Sequence, residues 1–253
     1  MNNNMILKEK NGLSFFQFPN LAECSGTRHG IFTRSGGCSK CPFQSLNVSF
    51  GIGDEEEAIR RNRLLISKCM DDRKLVFINQ VHGTEVLEIR HSEFEMRNAD
   101  AVITDVRDII PVIQVGDCQA VLLCDPEKHV VANVHSGWRG SISNIIGHTV
   151  SAMRTGMGCN PRHMLAGIGP SLGPCCAEFI NYKREIPEKF WKYKDESNHF
   201  DFWKISTDQL CEAGVLRENI CSGGLCSKCS TDLFFSYRGE RITGRFAAII
   251  GLC

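Results

Sequence analysis

The segment GDCQAVLLCDPEKHVVANVHSGWRG, Gly116 to Gly140, sets a thiol and an imidazole at the two ends of a pair of apolar runs. Ala120 to Cys124 and Val130 to Val134 are short, rich in branched residues and bounded by polar clusters, as buried strands are. Asp125-Pro126-Glu127-Lys128 between them suits a tight turn, because proline presets its backbone angle and aspartate bonds back to the main chain. A hairpin centred on that turn puts Cys118 opposite His135, with β-carbons roughly 4.5–5.5 Å apart. The two side chains would then touch or share one metal ion.

His82, in NQVHG, stands where a strand gives way to glycine. Alone it reads as a satisfied structural histidine. With Cys118 and His135 it completes a set of imidazole, thiolate and imidazole that zinc binds, leaving a fourth position open for a water whose pKa falls to about 7. Two histidines and a cysteine with a distant methionine also describe an electron-transfer copper site. Without metal, Cys118 beside His135 is a nucleophile and base for acyl transfer or deamidation, and a packed core is the bland alternative. The zinc-protease HExxH and the HxE plus PCxxC deaminase signature are both missing.

Arg139 and Ser141, with Gly137 and Gly140, adjoin the helix expected after His135. Free N–H groups at a helix start and a bidentate guanidinium attract anions, so a phosphate is expected beside the metal rather than a solvated surface turn. Cys38-x-x-Cys41 and Cys226-x-x-Cys229 look like halves of a four-cysteine zinc site, but lie far apart in sequence. Cys175 and Cys176 are adjacent and, in extended chain, could not face one metal. Structural roles are expected for all of these, and Cys69, Cys124, Cys159, Cys211 and Cys253 read as small buried hydrophobes.

The elements that position these groups are those of a mixed α/β chain. A helix is expected from Asp54, as capping residue ahead of Glu55 to Glu57, to about Met70. Strands follow at Leu75 to Asn79, Thr84 to Ile89 and Ala101 to Thr104. Ile142, Ile145, Ile146, Val150 and Met153 mark one helical face. FFSYRGERITGRFAAIIGL reads as two strands, the last central. Across 253 residues, 42% of them hydrophobic, neither a repeat nor a domain boundary interrupts one sizeable core over residues 1–253.

Lysine plus arginine and aspartate plus glutamate number 29 each, so no overall field draws nucleic acid or an anionic membrane. The start MNNNMILKEKNG lacks a signal-peptide core and no apolar run spans a bilayer, so the cytoplasm is the expected location. Fourteen cysteines in such a chain suggest thiols rather than a disulfide framework.

The motifs HGIFTRSGG, SLNVSFGIGD, NQVHGTEV, ADAVITD, GDCQAVLLCD, VANVHSGWRG, GIGPSLGPCCAEF and CSKCSTDLFFSYRGERITGRFAAIIGL resemble, in order and spacing, the YfiH-type laccase-domain family from about His29 onward. The resemblance implies a single-domain mixed α/β sandwich with mixed sheets, related to cysteine-dependent toxin deamidases, and a metal site of His82, Cys118 and His135. It implies a zinc-dependent purine nucleoside phosphorylase acting on adenosine, inosine and methylthioadenosine with phosphate, and a side activity deaminating adenosine. Copper-dependent polyphenol oxidation, the activity first ascribed to the family, and a metal-free Cys–His hydrolase or amidase are the alternatives. Arg34 in FTR and Asn47 in SLN fall in family motifs and are expected, with Arg139, near the phosphate or sugar. Cys38 and Cys41 depart from the family pattern, whereas the Cys226 and Cys229 pair belongs to it. No oligomeric state follows from the sequence.

Overall fold

Along residues 5–95 and 97–253, which the computed structural model describes, run strands β1 (Ile6–Lys10), β2 (Leu13–Gln17), β3 (Thr27–Phe32), β4 (Lys74–Phe77), β5 (Val86–Ile89), β6 (Ala101–Thr104), β7 (Ile109–Val115), β8 (Gln119–Asp125), β9 (Val130–Ser136), β10 (Leu165–Ile168), β11 (Ile220–Ser222) and β12 (Phe246–Leu252). The helices are α1 (Pro19–Ala22), α2 (Glu56–Cys69), α3 (Trp138–Ile142), α4 (Ile145–Met157), α5 (Tyr182–Glu185), α6 (Phe202–Glu212) and α7 (Tyr237–Glu240). Two six-stranded sheets form, in the orders β1-β2-β3-β12-β7-β4 and β11-β10-β8-β9-β6-β5. Both are mixed, since β4–β7, β5–β6 and β10–β11 pair in parallel and the other pairs are antiparallel.

Strand periodicity sorts the apolar side chains into layers. In β8, Ala120, Leu122 and Cys124 face the first sheet's Ile113, Ala248 and Ile250, while Val121 and Leu123 face Ile146 and Val150 of α4 and Leu210 of α6. On the far side of the first sheet, Phe32, Val112 and Ile249 pack on Ile66 and Cys69 of α2. The order of layers is therefore helix, sheet, sheet, helix. Between the sheets the buried Asn133 amide donates to the carbonyls of Pro111 (3.0 Å) and Ala248 (2.8 Å), tying the layers together.

Several local expectations are corrected. Asp54 does not cap α2: Glu55 is the boundary residue, and the Asp54 carboxylate instead accepts from Ser39 and Asn47. The helix after His135 is broken, because Asn144 in the left-handed region ends α3 and caps α4. FFSYRGER is not a strand but leads into α7, capped by Ser236, while the last apolar run forms β12 inside the first sheet. Of the cysteines read as buried, Cys69, Cys124 and Cys159 are buried and Cys211 and Cys253 are half-buried.

His29 gives the fold an acid sensitivity of its own. Its ring is 1% exposed, Nε2 accepts from the Phe18 N–H at 2.8 Å, and burial holds its pKa down at about 4. The imidazole is neutral in the fold and, near pH 5, charged in the unfolded chain. Its contribution is complete above about pH 6.5 and is lost as the pH falls to about 4, a change of about 3 kcal/mol. Urea midpoints at pH 7 and pH 4 are expected to show His29→Gln, which keeps an acceptor for Phe18, losing less stability in acid than the parent by that amount.

Candidate metal centre and its cleft

Four segments converge at one mouth of the inter-sheet layer. His82 follows β4, Asp100 precedes β6, Cys118 lies in the β7–β8 connection and His135 is near the end of strand β9. His82 has φ +60°, a conformation its side chain disfavours. The cause is the buried Asp100 carboxylate, which accepts from the N–H groups of Val81 (3.3 Å), His82 (2.9 Å) and Gly83 (2.6 Å) and curls that loop around itself. Asp100 also accepts from Nδ1 of His135 at 2.7 Å, leaving Nε2 of that ring to face the cleft. One carboxylate therefore orients two imidazoles.

Asp117 plays a related part beside Cys118. At φ +93° it too is strained, and its carboxylate accepts from the hydroxyls of Ser227 (2.6 Å) and Ser236 (2.7 Å) and the N–H of Arg238. These bonds fix the turn that presents Cys118.

The donor atoms of His82, Cys118 and His135 lie within 4.8 Å of one another, and the two rings meet edge to face with centroids 4.8 Å apart. Cys118 Sγ stands 3.8 Å from His82 Nε2, against about 3.6 Å for sulfur and nitrogen on one tetrahedral zinc. The set fits such an ion with little movement. Burial alone would raise the Cys118 thiol and lower His135. Mutual attraction and the hydrogen bonds of His135, His82 and Asp100 overcome it, placing Cys118 at about 6 and His135 at about 9 without metal. The thiolate that a soft metal requires is thus favoured before any metal arrives.

The hairpin register differs from the sequence expectation. Ala120 pairs with His135 and Asp125 with Val130, so Cys118 falls opposite Gly137 instead of His135. The reason is the loop: Asp125 accepts from the N–H groups of Glu127 and Lys128, and His129 adopts φ +51°, so four residues turn the chain rather than two. A slip of two residues keeps every side chain on its face, and the thiol and imidazole still meet.

Gly137 now carries a specific demand. A β-carbon there would stand 3.0 Å from His82 Cδ2 and 3.1 Å from Cys118 Sγ, while its backbone (φ −73°, ψ 169°) suits any residue. Gly137→Ala is expected to keep the circular dichroism spectrum and lower zinc affinity about tenfold, as the donors are displaced by a few tenths of an ångström.

The trio opens on a cleft of about 750 Å³ lined by five arginines, Arg63, Arg139, Arg238, Arg241 and Arg245, and by the rings of Phe50, Trp138, Phe179 and Tyr237. Arg139 lies 4.8 Å over Trp138, and Arg245 interacts electrostatically with Cys118 and Asp117. Arg34 and Asn47 do not line this cleft. Arg34 is committed to Glu240 (2.8 Å), the Thr231 carbonyl and the Phe235 ring, beside a separate hollow. Asn47 is fully buried; it accepts from the Arg245 N–H and donates to Asp54. Their contacts brace the segments that carry Arg245 and Glu240. The Ser141 hydroxyl is likewise buried against Ser136.

A family model described as multi-copper polyphenol oxidoreductase laccase matches residues 28–253. The chain belongs to this family. The laccase-family chain is 30% identical over 241 residues to the purine nucleoside phosphorylase YfiH of Escherichia coli K12, covering 92% of this chain and 94% of that protein. It is 28% identical to the purine nucleoside phosphorylase YlmD of Geobacillus stearothermophilus, covering 90% of each. The crystal structure of YlmD from that organism superposes with a TM-score of 0.87 at 27% identity, over 98% of this chain and 99% of that one. The Bacillus licheniformis YfiH structure, 24% identical with a TM-score of 0.87, shares the fold of the laccase-family chain. No helix among the described residues is long and apolar enough to cross a membrane.

Asp100, Arg238, Arg241 and Arg245 had no individual signal in the sequence. Asp100 sits in the ADAVITD motif, and the three arginines in the motif that ends the chain, but which of them face the cleft is decided by tertiary approach.

Proposed function

We propose that the protein is a zinc-dependent purine nucleoside phosphorylase acting on adenosine, inosine and methylthioadenosine, with a side activity that deaminates adenosine. The observation that carries this reading is one cleft in which a two-histidine, one-cysteine donor set faces five arginines and several aromatic rings. The names of the relatives at 28–30% identity support it. His82, Cys118 and His135 would hold zinc, and when bound the metal supplies a Lewis acid with one position free for water or a substrate oxygen.

The protein's own groups do the rest. Trp138, Phe179 and Tyr237 offer flat apolar surface to a purine. Arg139 and Arg245 hold hydrogen phosphate by charge-assisted hydrogen bonds and spread the charge that develops on it. A phosphate oxygen attacks the anomeric carbon and the glycosidic C–N bond breaks. The phosphate's proton ends on the released purine nitrogen, giving ribose 1-phosphate and free base. In the side reaction water adds to the purine ring and ammonia leaves, giving inosine.

The test is incubation of the zinc-loaded protein with adenosine, with and without phosphate, following ribose 1-phosphate and inosine. Phosphate-dependent ribose 1-phosphate is expected; absence of both products from protein that holds zinc would refute the reading. The thiolate–imidazolium pair of Cys118 and His135 favours a second reading, a metal-free hydrolase or amidase akin to the cysteine-dependent toxin deamidases. It requires activity that survives chelation. Copper loading with oxygen uptake would mark the polyphenol-oxidase alternative.

A further inference from the structure

Cys175, Cys176, Cys226 and Cys229 come together although two loops supply them from distant parts of the chain, and their sulfur atoms lie within 4.8 Å of one another. Adjacent Cys175 and Cys176 could not face one centre in extended chain, but the chain here is curled: the N–H groups of Cys176 and Ala177 both donate to the Gly173 carbonyl. Both sulfurs then approach the same third one. Cys175 is 3.6 Å and Cys176 is 3.5 Å from Cys229 Sγ. The fourth, Cys226, is buried and accepts from the Gly173 N–H at 3.3 Å and from the N–H of Cys229. Backbone N–H groups aimed at a sulfur favour its thiolate form.

These spacings discriminate among possible fates. A disulfide needs about 2.05 Å, and two sulfurs converging on a third do not make a pair. An iron–sulfur cluster, held by four thiolates around a body of several atoms, spreads its ligands wider. Four thiolates on one tetrahedral ion, with metal–sulfur bonds of about 2.3 Å, stand about 3.8 Å apart. We propose that Cys175, Cys176, Cys226 and Cys229 form a second metal centre, a closed four-thiolate site for a zinc-class divalent ion, separate from the site in the cleft. Thiolate ligands and tetrahedral geometry select a soft or borderline ion of this kind.

The centre would act as a staple. It joins the loop after β10 to the loop before α7, and these loops already meet through the Ser227 N–H and Ser171 carbonyl at 2.9 Å. From the same loops Leu172 N–H donates to the Asp117 carbonyl, and Ser227 to its carboxylate. Ser171 and Leu172 line the cleft. A metal at the four cysteines therefore fixes the wall against which Asp117 and Cys118 are set, without touching substrate.

The experiment measures zinc per chain and the cobalt spectrum of the full-length protein. Two equivalents are expected in the parent and one in Cys118→Ala. One is expected in the double variant Cys175→Ser/Cys229→Ser, whose positions are exposed. Cobalt-loaded Cys118→Ala should show the visible bands and thiolate charge transfer of a four-sulfur tetrahedral ion, and adding the two serines should abolish them. Cys38→Ser/Cys41→Ser, lying outside the cluster, should keep both equivalents. A four-sulfur spectrum missing from Cys118→Ala, or unchanged by the two serines, would overturn the proposal. So would disulfides joining these cysteines in the natively purified protein. The cobalt readout in Cys118→Ala does not involve the cleft site, so the two metal assignments fail independently.

Discussion

Cys118→Ala is expected to bind no metal in the cleft and to lose phosphorolysis by at least about a thousandfold in kcat/KM, the scale of several kcal/mol of charge stabilisation. The side chain stands at the crossing point of the site, 3.8 Å from His82 and within the 4.8 Å reach of His135. Two imidazoles alone make a weak zinc site with two open positions. Removing the thiolate also withdraws the strongest influence that raises the pKa of His135, leaving the Asp100 carboxylate alone to oppose the effect of burial. Because the thiol packs only at the margin of the inter-sheet core, the fold should persist, and near-ultraviolet circular dichroism checks it. Metal content and ribose 1-phosphate production are the readouts. Full activity in this variant would remove the site from the chemistry. Activity that survives chelation in the parent yet vanishes in Cys118→Ser would move the mechanism to the cysteine nucleophile.

Asp100 should matter almost as much while touching neither metal nor substrate. It is a positioning residue: its carboxylate is 0% exposed and is the shared acceptor for three backbone N–H groups and the His135 ring. Burial would raise its pKa, but the bonds from His135, Gly83 and His82 hold it below the usual range. Asp100→Ala strands those donors in the interior and leaves His82 without the anchor for its left-handed conformation. The expected cost is about 3–5 kcal/mol in urea unfolding. Asp100→Asn keeps one acceptor oxygen and should fold, with zinc affinity down about 10–100-fold, as when the partner behind a ligand histidine is weakened. A competition titration with a chromophoric chelator measures that loss. Unchanged zinc affinity in a folded Asp100→Asn would show that the carboxylate does not orient the ligands.

The legibility of this protein in its sequence follows the range over which each signal acts. The β8 and β9 strands were readable because continuous branched apolar runs are a local feature. Their register was not, since the left-handed His129 that widens the turn has no compositional mark. The thiol and imidazole were nonetheless correctly associated, because an error of two residues preserves the facing of a strand. β7 escaped notice: Pro111 lies inside it and argues against a strand, yet its carbonyl receives the Asn133 amide and its neighbours pair on both sides. Arg34 and Asn47 sit in motifs, but motif membership carries no orientation, and the structure places them beside the Glu240 and Arg245 segments rather than along the cleft. The wall of arginines, drawn from α2, α3 and the segment around α7, depends on tertiary approach that no window of sequence contains. Clustering of the four cysteines was missed for the same reason, compounded by assuming extended chain at Cys175.

The length of the β8–β9 hairpin has a practical consequence. The seven residues of β8 carry the chain about 20 Å from the donor cluster to its far turn, where Glu127 and Lys128 are exposed. A dye, an affinity handle or new chain ends placed at that tip would sit about 20 Å from the donor cluster, the length of the strand between them. Binding and turnover could then be observed on tethered single molecules without an attachment that shades the entrance.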